Sequence, residues 1–201
     1  MDTAIQARLE RLYVAIGRSV EKDIAKRPAL VGRSSKAVFV YQDFSGGQSE
    51  AEQSETLHSL IGNVASFHDH FKAWASRHGI SENDVHRFFL NSPDFCIVVD
   101  LWNHDKHGEY PQRKDGWSRL APRLSDIRSV CQLRTQAKEG SWVGMQSDLS
   151  GKSTVNGDGA AEVLVTADVL DKNGNGIGQA HDIIQRSIKV CEAALQHFEV
   201  N

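Results

Sequence analysis

The sequence predicts a mainly α-helical bundle with a small β element, in a single domain spanning residues 1–201. Three features lead to this prediction. Long stretches carry apolar residues at steps of three and four, which is the spacing of one buried helix face. Only short segments are rich in the β-branched and aromatic residues typical of strands. The chain has 201 residues, 40% of them hydrophobic, which is enough for one sizeable core.

Apolar periodicity and capping residues together predict the helices. They are expected over about residues 3–27, 57–79, 81–90, 92–107 and 179–198. Pro28 stops the first helix, because proline cannot continue it. Gly79 supplies a left-handed cap to the second helix, and Ser81 caps the third. Ser92 followed by Pro93 is a favourable start for the fourth helix.

Strands are expected near residues 37–44, 127–133 and 161–170, where β-branched residues are frequent. The remaining composition divides the chain into three parts. The helical bundle core covers about 3–107 plus 179–198, a basic loop region covers 108–138, and a flexible excursion rich in Gly, Ser and Asp covers 139–159.

Charge is distributed unevenly along the chain. The formal net charge is −3, but the segment from Lys106 to Lys138 nets +5, which leaves −8 elsewhere. A basic stripe on an acidic body is typical of a phosphate-binding surface, and a solvated loop has the same composition. The candidate nucleic-acid-binding residues in this stripe are Lys106, Arg113, Lys114, Arg119 and Arg123.

Several classes of protein lack support in the sequence. No apolar run approaches the length of a membrane span, and the N-terminus does not resemble a signal peptide, so we expect a cytoplasmic protein with no membrane partner. Cys96, Cys131 and Cys191 are widely spaced and are expected to be reduced thiols. No P-loop, GxGxxG, GxSxG or HExxH motif occurs, and no cofactor is expected.

The helix over 92–107 carries the richest set of chemical groups. At about 100° per residue, Asp100, Asn103 and His107 fall on one stripe beside the apolar face. A histidine held by a carboxylate or an amide at such a boundary is suited to general acid–base catalysis. The alternative is that these polar groups cap the end of the helix and hydrogen-bond to neighbouring loops.

The run LWNHDKH in this helix, together with the upstream run SFHDHFKAWA, resembles the helical HEPN (higher eukaryotes and prokaryotes nucleotide-binding) superfamily and poorly characterised bacterial proteins around it. The family hallmark is Arg, a polar residue that is often Asn, three or more variable residues, and His. Asn103 and His107 match its second half. Trp102 stands at the position of the arginine, which departs from the pattern.

The resemblance implies an RNA-directed or nucleotide-binding protein of bacterial toxin–antitoxin or phage-defence type. Such a protein forms a homodimer, and RNA or a partner protein is its expected binding partner. A metal-independent ribonuclease of this kind would use His107 as general acid or base, Asn103 to position the phosphate and Asp100 to orient the histidine. An indole cannot supply the charge of the arginine, so Trp102 favours an alternative, a non-catalytic oligomeric interaction module. The enzyme requires a partly exposed His107 in a basic cleft, whereas the module requires a buried one.

Two metal sites are further alternatives. His68 and Asp69 resemble the doublet of HD phosphohydrolases, with His58 upstream and Asp100 downstream. Adjacent residues on a helix nevertheless diverge by about 100°. This alternative places His68 or His70 close to Asp100 or His104. The segment after the last predicted strand matches part of a calcium loop, and its own Asn-Gly turns need no ion. Its candidate ligands are Asp171, Asn173, Asn175 and Asp182.

Overall fold

The computed structural model describes residues 3–27, 29–33, 38–107 and 116–199. Of these residues 49% are helical and 26% lie in strands that form antiparallel sheets. The fold is therefore α+β, and the predicted mainly α, HEPN-like bundle is wrong. The sequence pattern underestimated the strands because several of them are short or exposed, and such strands carry little apolar periodicity.

Six α-helices lie in the described part of the chain. They are α1 (Thr3–Arg18), α2 (Glu50–Ala65), α3 (Phe67–Arg77), α4 (Glu82–Leu90), α5 (Pro93–His107) and α6 (Ala180–Glu199). The predicted helices over 81–90, 92–107 and 179–198 are confirmed. No helix among the described residues is long and apolar enough to cross a membrane.

The first predicted helix ends nine residues earlier than expected, at Arg18 rather than Arg27. Val20, which continues the apolar periodicity, instead pairs with Leu164 of a strand. Ile24 begins a short 3₁₀-helix over Ile24–Lys26, in which Asp23 accepts a hydrogen bond from the Ala25 amide. Both apolar side chains thus keep a packing role in a different backbone conformation, which periodicity alone does not distinguish.

The second predicted helix is divided at Ser66. The Ser66 hydroxyl donates to the carbonyl of Asn63 at 3.1 Å, and α3 begins at the next residue. A serine hydroxyl that bonds back to a helix carbonyl competes with the regular ladder and bends the chain. The expected left-handed end is present, since Gly79 has φ +73°.

Eight strands were identified in the described residues. They are β1 (Val20–Glu21), β2 (Ala29–Arg33), β3 (Val38–Gln42), β4 (Arg123–Arg134), β5 (Val143–Ser147), β6 (Ser153–Gly157), β7 (Ala160–Leu170) and β8 (Gly176–Gln179). The main sheet has the order β1-β7-β4, and β8 also pairs with β7. The pairs β2–β3 and β5–β6 are two-stranded sheets. The segment predicted as a flexible excursion, 139–159, contains the β5–β6 pair, and its flexibility stays a prediction.

The contacts divide the chain into two compact units. The first contains Met1–Arg18, Ser54–Ile127 and Thr166–Asn201, and the second contains Ser19–Gln53 and Arg128–Val165. The first unit buries a cluster of aromatic rings, with Phe67 and Phe89 fully buried and 6.5 Å apart. The prediction of a single domain stays a prediction.

The second unit is built mainly from hairpins. The amide of Ala29 donates to the carbonyl of Gly151 at 2.7 Å, and the Gln42 side chain donates to Ser153 Oγ at 3.0 Å. Gly151 has φ +85°, and a Cβ there would lie 2.0 Å from the Ala29 carbonyl oxygen. Only glycine allows the backbones to approach this closely.

Candidate functional site

Helix α5 carries the three residues that the sequence predicts to be catalytic, Asp100, Asn103 and His107. Its start is capped by Ser92, whose hydroxyl accepts a hydrogen bond from the Phe95 amide at 3.3 Å. Every residue from Phe95 to Leu101 is buried, and the residues after Trp102 become progressively exposed. The C-terminal half of α5 therefore presents its polar side chains at the border between core and solvent.

Asp100 holds the turn at Trp117 and Ser118. Its side chain is 1% exposed and accepts three hydrogen bonds, from the Trp117 amide (2.7 Å), the Ser118 amide (2.7 Å) and the Ser118 hydroxyl (2.6 Å). Gly116 has φ +67°, and a Cβ there would lie 2.3 Å from Asp100 Oδ1. Burial raises the pKa of Asp100, and the hydrogen bonds from Ser118 and Trp117 oppose that rise. Asp100 thus holds the turn at Trp117 and Ser118, and its predicted role of orienting His107 stays a prediction.

The other two predicted catalytic residues lie apart from this turn. Asn103 is half-buried, and His107 is exposed as the last residue of α5. Exposure of His107 is the arrangement that the enzyme alternative requires. The basic cleft that it also requires includes Arg113 and Lys114, which lie outside the described residues. Their roles in catalysis stay predictions.

The remaining basic residues of the predicted nucleic-acid surface are exposed. Lys106 lies at the end of α5, Arg119 lies in the segment that follows the Asp100-bound turn, and Arg123 begins β4. Arg119 has a left-handed backbone with φ +60°. Their predicted role in nucleic-acid binding stays a prediction.

His68 of the proposed HD-type site packs against His86 and Trp117. His68 is 5% exposed, and its Nδ1 lies 3.1 Å from Asp69 Oδ1. Its Nε2 lies 3.4 Å from Nδ1 of His86, and its ring meets Trp117 edge to face at 5.0 Å. Burial lowers the pKa of His68, and the bond to Asp69 opposes that effect. Within the described residues, no group of three His, Cys, Asp or Glu side chains is arranged to hold a metal ion.

The candidate calcium ligands close a hairpin. Asp171 Oδ1 accepts the amides of Asn173 and Asn175, both at 2.8 Å, and Asp171 Oδ2 accepts the Asn175 side chain at 3.0 Å. The chain then forms β8 before it reaches Asp182 in the first turn of α6. The carboxylate oxygens of Asp171 are thus used within the turn, and calcium binding stays a prediction.

A polar groove lies between α2 and α5. The sequence did not predict it. We call it the α2–α5 groove, and it has a volume of about 460 Å³. Its lining residues are Glu55, His58, Ser59, Gly62, Asn63, Ser66, Trp102 and Asp105. The groove brings together a histidine, two carboxylates, an amide and an indole, which are the groups that bind small polar ligands.

The chemical centre of this groove is a histidine–carboxylate pair. His58 Nδ1 lies 3.1 Å from Asp105 Oδ1, and both side chains are partly exposed at 27% and 38%. The contact is a charge pairing rather than a hydrogen bond, since His58 Nδ1 has no hydrogen-bond partner in the part of the chain that the structure describes. His58 and Asp105 lie on different helices and are 47 positions apart in the sequence, so no local motif indicates the pair.

Trp102 forms one wall of the groove, beside α2. A Cβ at Gly62 would lie 2.7 Å from Cζ3 of Trp102, so the absence of a side chain at Gly62 makes room for the indole. Trp102 is half-buried and lines the cavity. The residue that departs from the HEPN hallmark is therefore part of this groove. The spacing of Trp102 and Asp105 on one face of α5 was the available signal for this site.

The chain matches no protein-family model, and no curated protein or solved structure is significantly similar to it.

Proposed function

We propose that this chain is an RNA-directed or nucleotide-binding protein whose ligand occupies the α2–α5 groove. One observation carries the proposal, namely that an indole and a histidine–carboxylate pair line the same cavity. Trp102 provides an aromatic surface, and His58 with Asp105 provides directional polar groups. The HEPN resemblance, and with it a role in bacterial defence or toxin systems, rests on the sequence motif and stays a prediction.

The chemistry of the groove suits a nucleobase and its ribose. Stacking of a base on an aromatic side chain contributes about 1 to 3 kcal/mol and tolerates any base. Glu55 and Asp105 accept hydrogen bonds from amino and hydroxyl groups, and Asn63 both donates and accepts them. These carboxylates repel a phosphate, so a nucleotide would place its base and ribose here and its phosphates elsewhere.

The test is a binding measurement with two tryptophan variants. Labelled single-stranded RNA and nucleotides are titrated with wild-type protein, Trp102→Leu and Trp142→Leu, and the fluorescence polarisation is recorded. Trp142 is 57% exposed and lies in the second unit, which makes it a matched control. We expect Trp102→Leu to weaken binding by about fivefold or more, corresponding to a loss of at least about 1 kcal/mol, with Trp142→Leu unchanged.

Two results would overturn the proposal. One is the absence of any binding by the wild-type protein, and the other is equal affinity of wild type and a folded Trp102→Leu variant. Cleavage of the RNA in chelator, lost in His107→Ala, would support the predicted metal-independent ribonuclease. Binding without cleavage would leave the protein a binding module.

A further inference from the structure

A second cavity lies against α1 and shares Asn63 with the α2–α5 groove. We call it the α1 cavity, and it has a volume of about 250 Å³. Three arginines of α1 line it, Arg8, Arg11 and Arg18, together with apolar residues of the same helix. Asn63 also lines the α2–α5 groove, so a single residue of α2 borders both cavities.

The arginines lie on one face of α1 because of their spacing. Steps of three and seven residues return a side chain to nearly the same side of an α-helix. Arg8 and Arg11 are one turn apart, and Arg18 is about 10 Å further along the axis. The row is thus long enough to meet more than one anionic group.

Arg8 and Arg11 of this row lie close to each other and to His70. None of the three guanidinium groups of the row forms an ion pair with a carboxylate in the described part of the chain. Burial, and after it the neighbouring Arg11, lowers the pKa of Arg8. Burial, Arg8 and Arg11 lower the pKa of His70 on α3, and the carboxylate of Asp69 opposes that effect. Clustered like charges favour binding of an anion, because the anion relieves their mutual repulsion.

We infer that the α1 cavity is the phosphate subsite of the ligand whose base and ribose occupy the α2–α5 groove. This inference rests on the proposed function. The ligand class is a nucleoside that carries two or more phosphates, either as a nucleoside polyphosphate or as a short RNA strand. Carboxylates line the groove, arginines line the α1 cavity, and Asn63 lines both, so the two charges orient the ligand in one direction. Guanidinium groups bind phosphate oxygens in bidentate geometry, which fixes that direction.

The test compares ligands that differ only in phosphate content. Isothermal titration is carried out with a nucleoside, its diphosphate, a short single-stranded RNA and inorganic pyrophosphate. The proteins are wild type, Arg11→Gln and Arg87→Gln. Arg11 is exposed, and Arg87 is an exposed arginine of α4 whose replacement changes the net charge equally. Melting curves verify that both variants are folded.

In the wild type we expect phosphate groups to strengthen binding by about tenfold or more. Arg11→Gln loses most of that gain and binds the nucleoside as before, while Arg87→Gln behaves as wild type. The slope of log affinity against log salt for RNA falls by about one in Arg11→Gln. A larger gain for the RNA than for the diphosphate identifies the strand as the ligand, and the reverse identifies the nucleoside polyphosphate.

The outcomes separate this inference from the proposed function. Nucleoside binding with no gain from phosphate, or with equal gains in wild type and Arg11→Gln, overturns the phosphate subsite and leaves the groove proposal standing. Pyrophosphate binding that depends on Arg11, without any nucleoside binding, supports an anion site and overturns the groove proposal. The absence of binding by every ligand overturns both.

Discussion

Replacement of Asp100 by asparagine tests how much its carboxylate stabilises the turn at Trp117 and Ser118. The carboxylate accepts three hydrogen bonds in a site that is 1% exposed. An asparagine oxygen can keep the two bonds from Ser118, but its amide group then faces the Trp117 N–H, which is also a donor. Bonds to a charged acceptor contribute about 1.5 to 3 kcal/mol each, and a buried donor without an acceptor costs about 1 to 3 kcal/mol.

Removal of a buried charge offsets part of this loss, so we expect Asp100→Asn to lower the free energy of unfolding by about 3 kcal/mol. The assay is urea denaturation followed by tryptophan fluorescence and by circular dichroism. Asp94→Asn on the same helix is the matched control. Asp94 forms a partly exposed bidentate pair with Arg186, and a pair of this kind contributes about 0 to 1 kcal/mol. The reasoning is refuted if the two variants lose the same stability.

Two further predictions concern His68 and the groove. Burial lowers the pKa of His68, so the unfolded chain binds the proton more tightly. The contribution of His68 to the free energy of unfolding is therefore fully present above about pH 6.5 and is lost as the pH falls below it. Urea midpoints measured from about pH 5 to 8 should have a flatter pH profile in His68→Gln than in the wild type, and equal profiles would contradict this. Gly62→Ala places a Cβ 2.7 Å from Trp102, so we expect ligand affinity to fall about as far as in Trp102→Leu. The free energy of unfolding changes little, because alanine gains up to about 1 kcal/mol in helix propensity and this offsets the cost of crowding the indole. Gly17→Ala on α1, with no atom within 4 Å, is the control, and an unchanged affinity of Gly62→Ala would show that the indole adapts.

Local signals in the sequence located several helix ends correctly. Ser81 and Ser92 both cap helices, and Gly79 has the expected left-handed conformation. These features depend on the residue type and on its immediate neighbours, which is information that the sequence contains. The break at Ser66 was missed because a serine also fits inside a helix. The end of α1 was missed because Val20 suits both a helix face and a strand.

The predicted catalytic residues and the candidate groove share one helix. Asn103 and His107 lie on one stripe of α5. The α2–α5 groove uses the adjacent face of that helix, with Trp102 and Asp105. Helical periodicity determines which residues share a face, and it does not determine which neighbouring helix that face meets.

The sequence by itself determined where α4, α5 and α6 lie and which of their residues are apolar, because capping and periodicity are local properties. Only the tertiary structure decided that Asp100 holds the turn at Trp117, that His58 meets Asp105, and that Asn63 borders two cavities. Each of these relations joins segments that are far apart in the chain. Such contacts arise from packing of whole elements, and no spacing along the sequence encodes them directly.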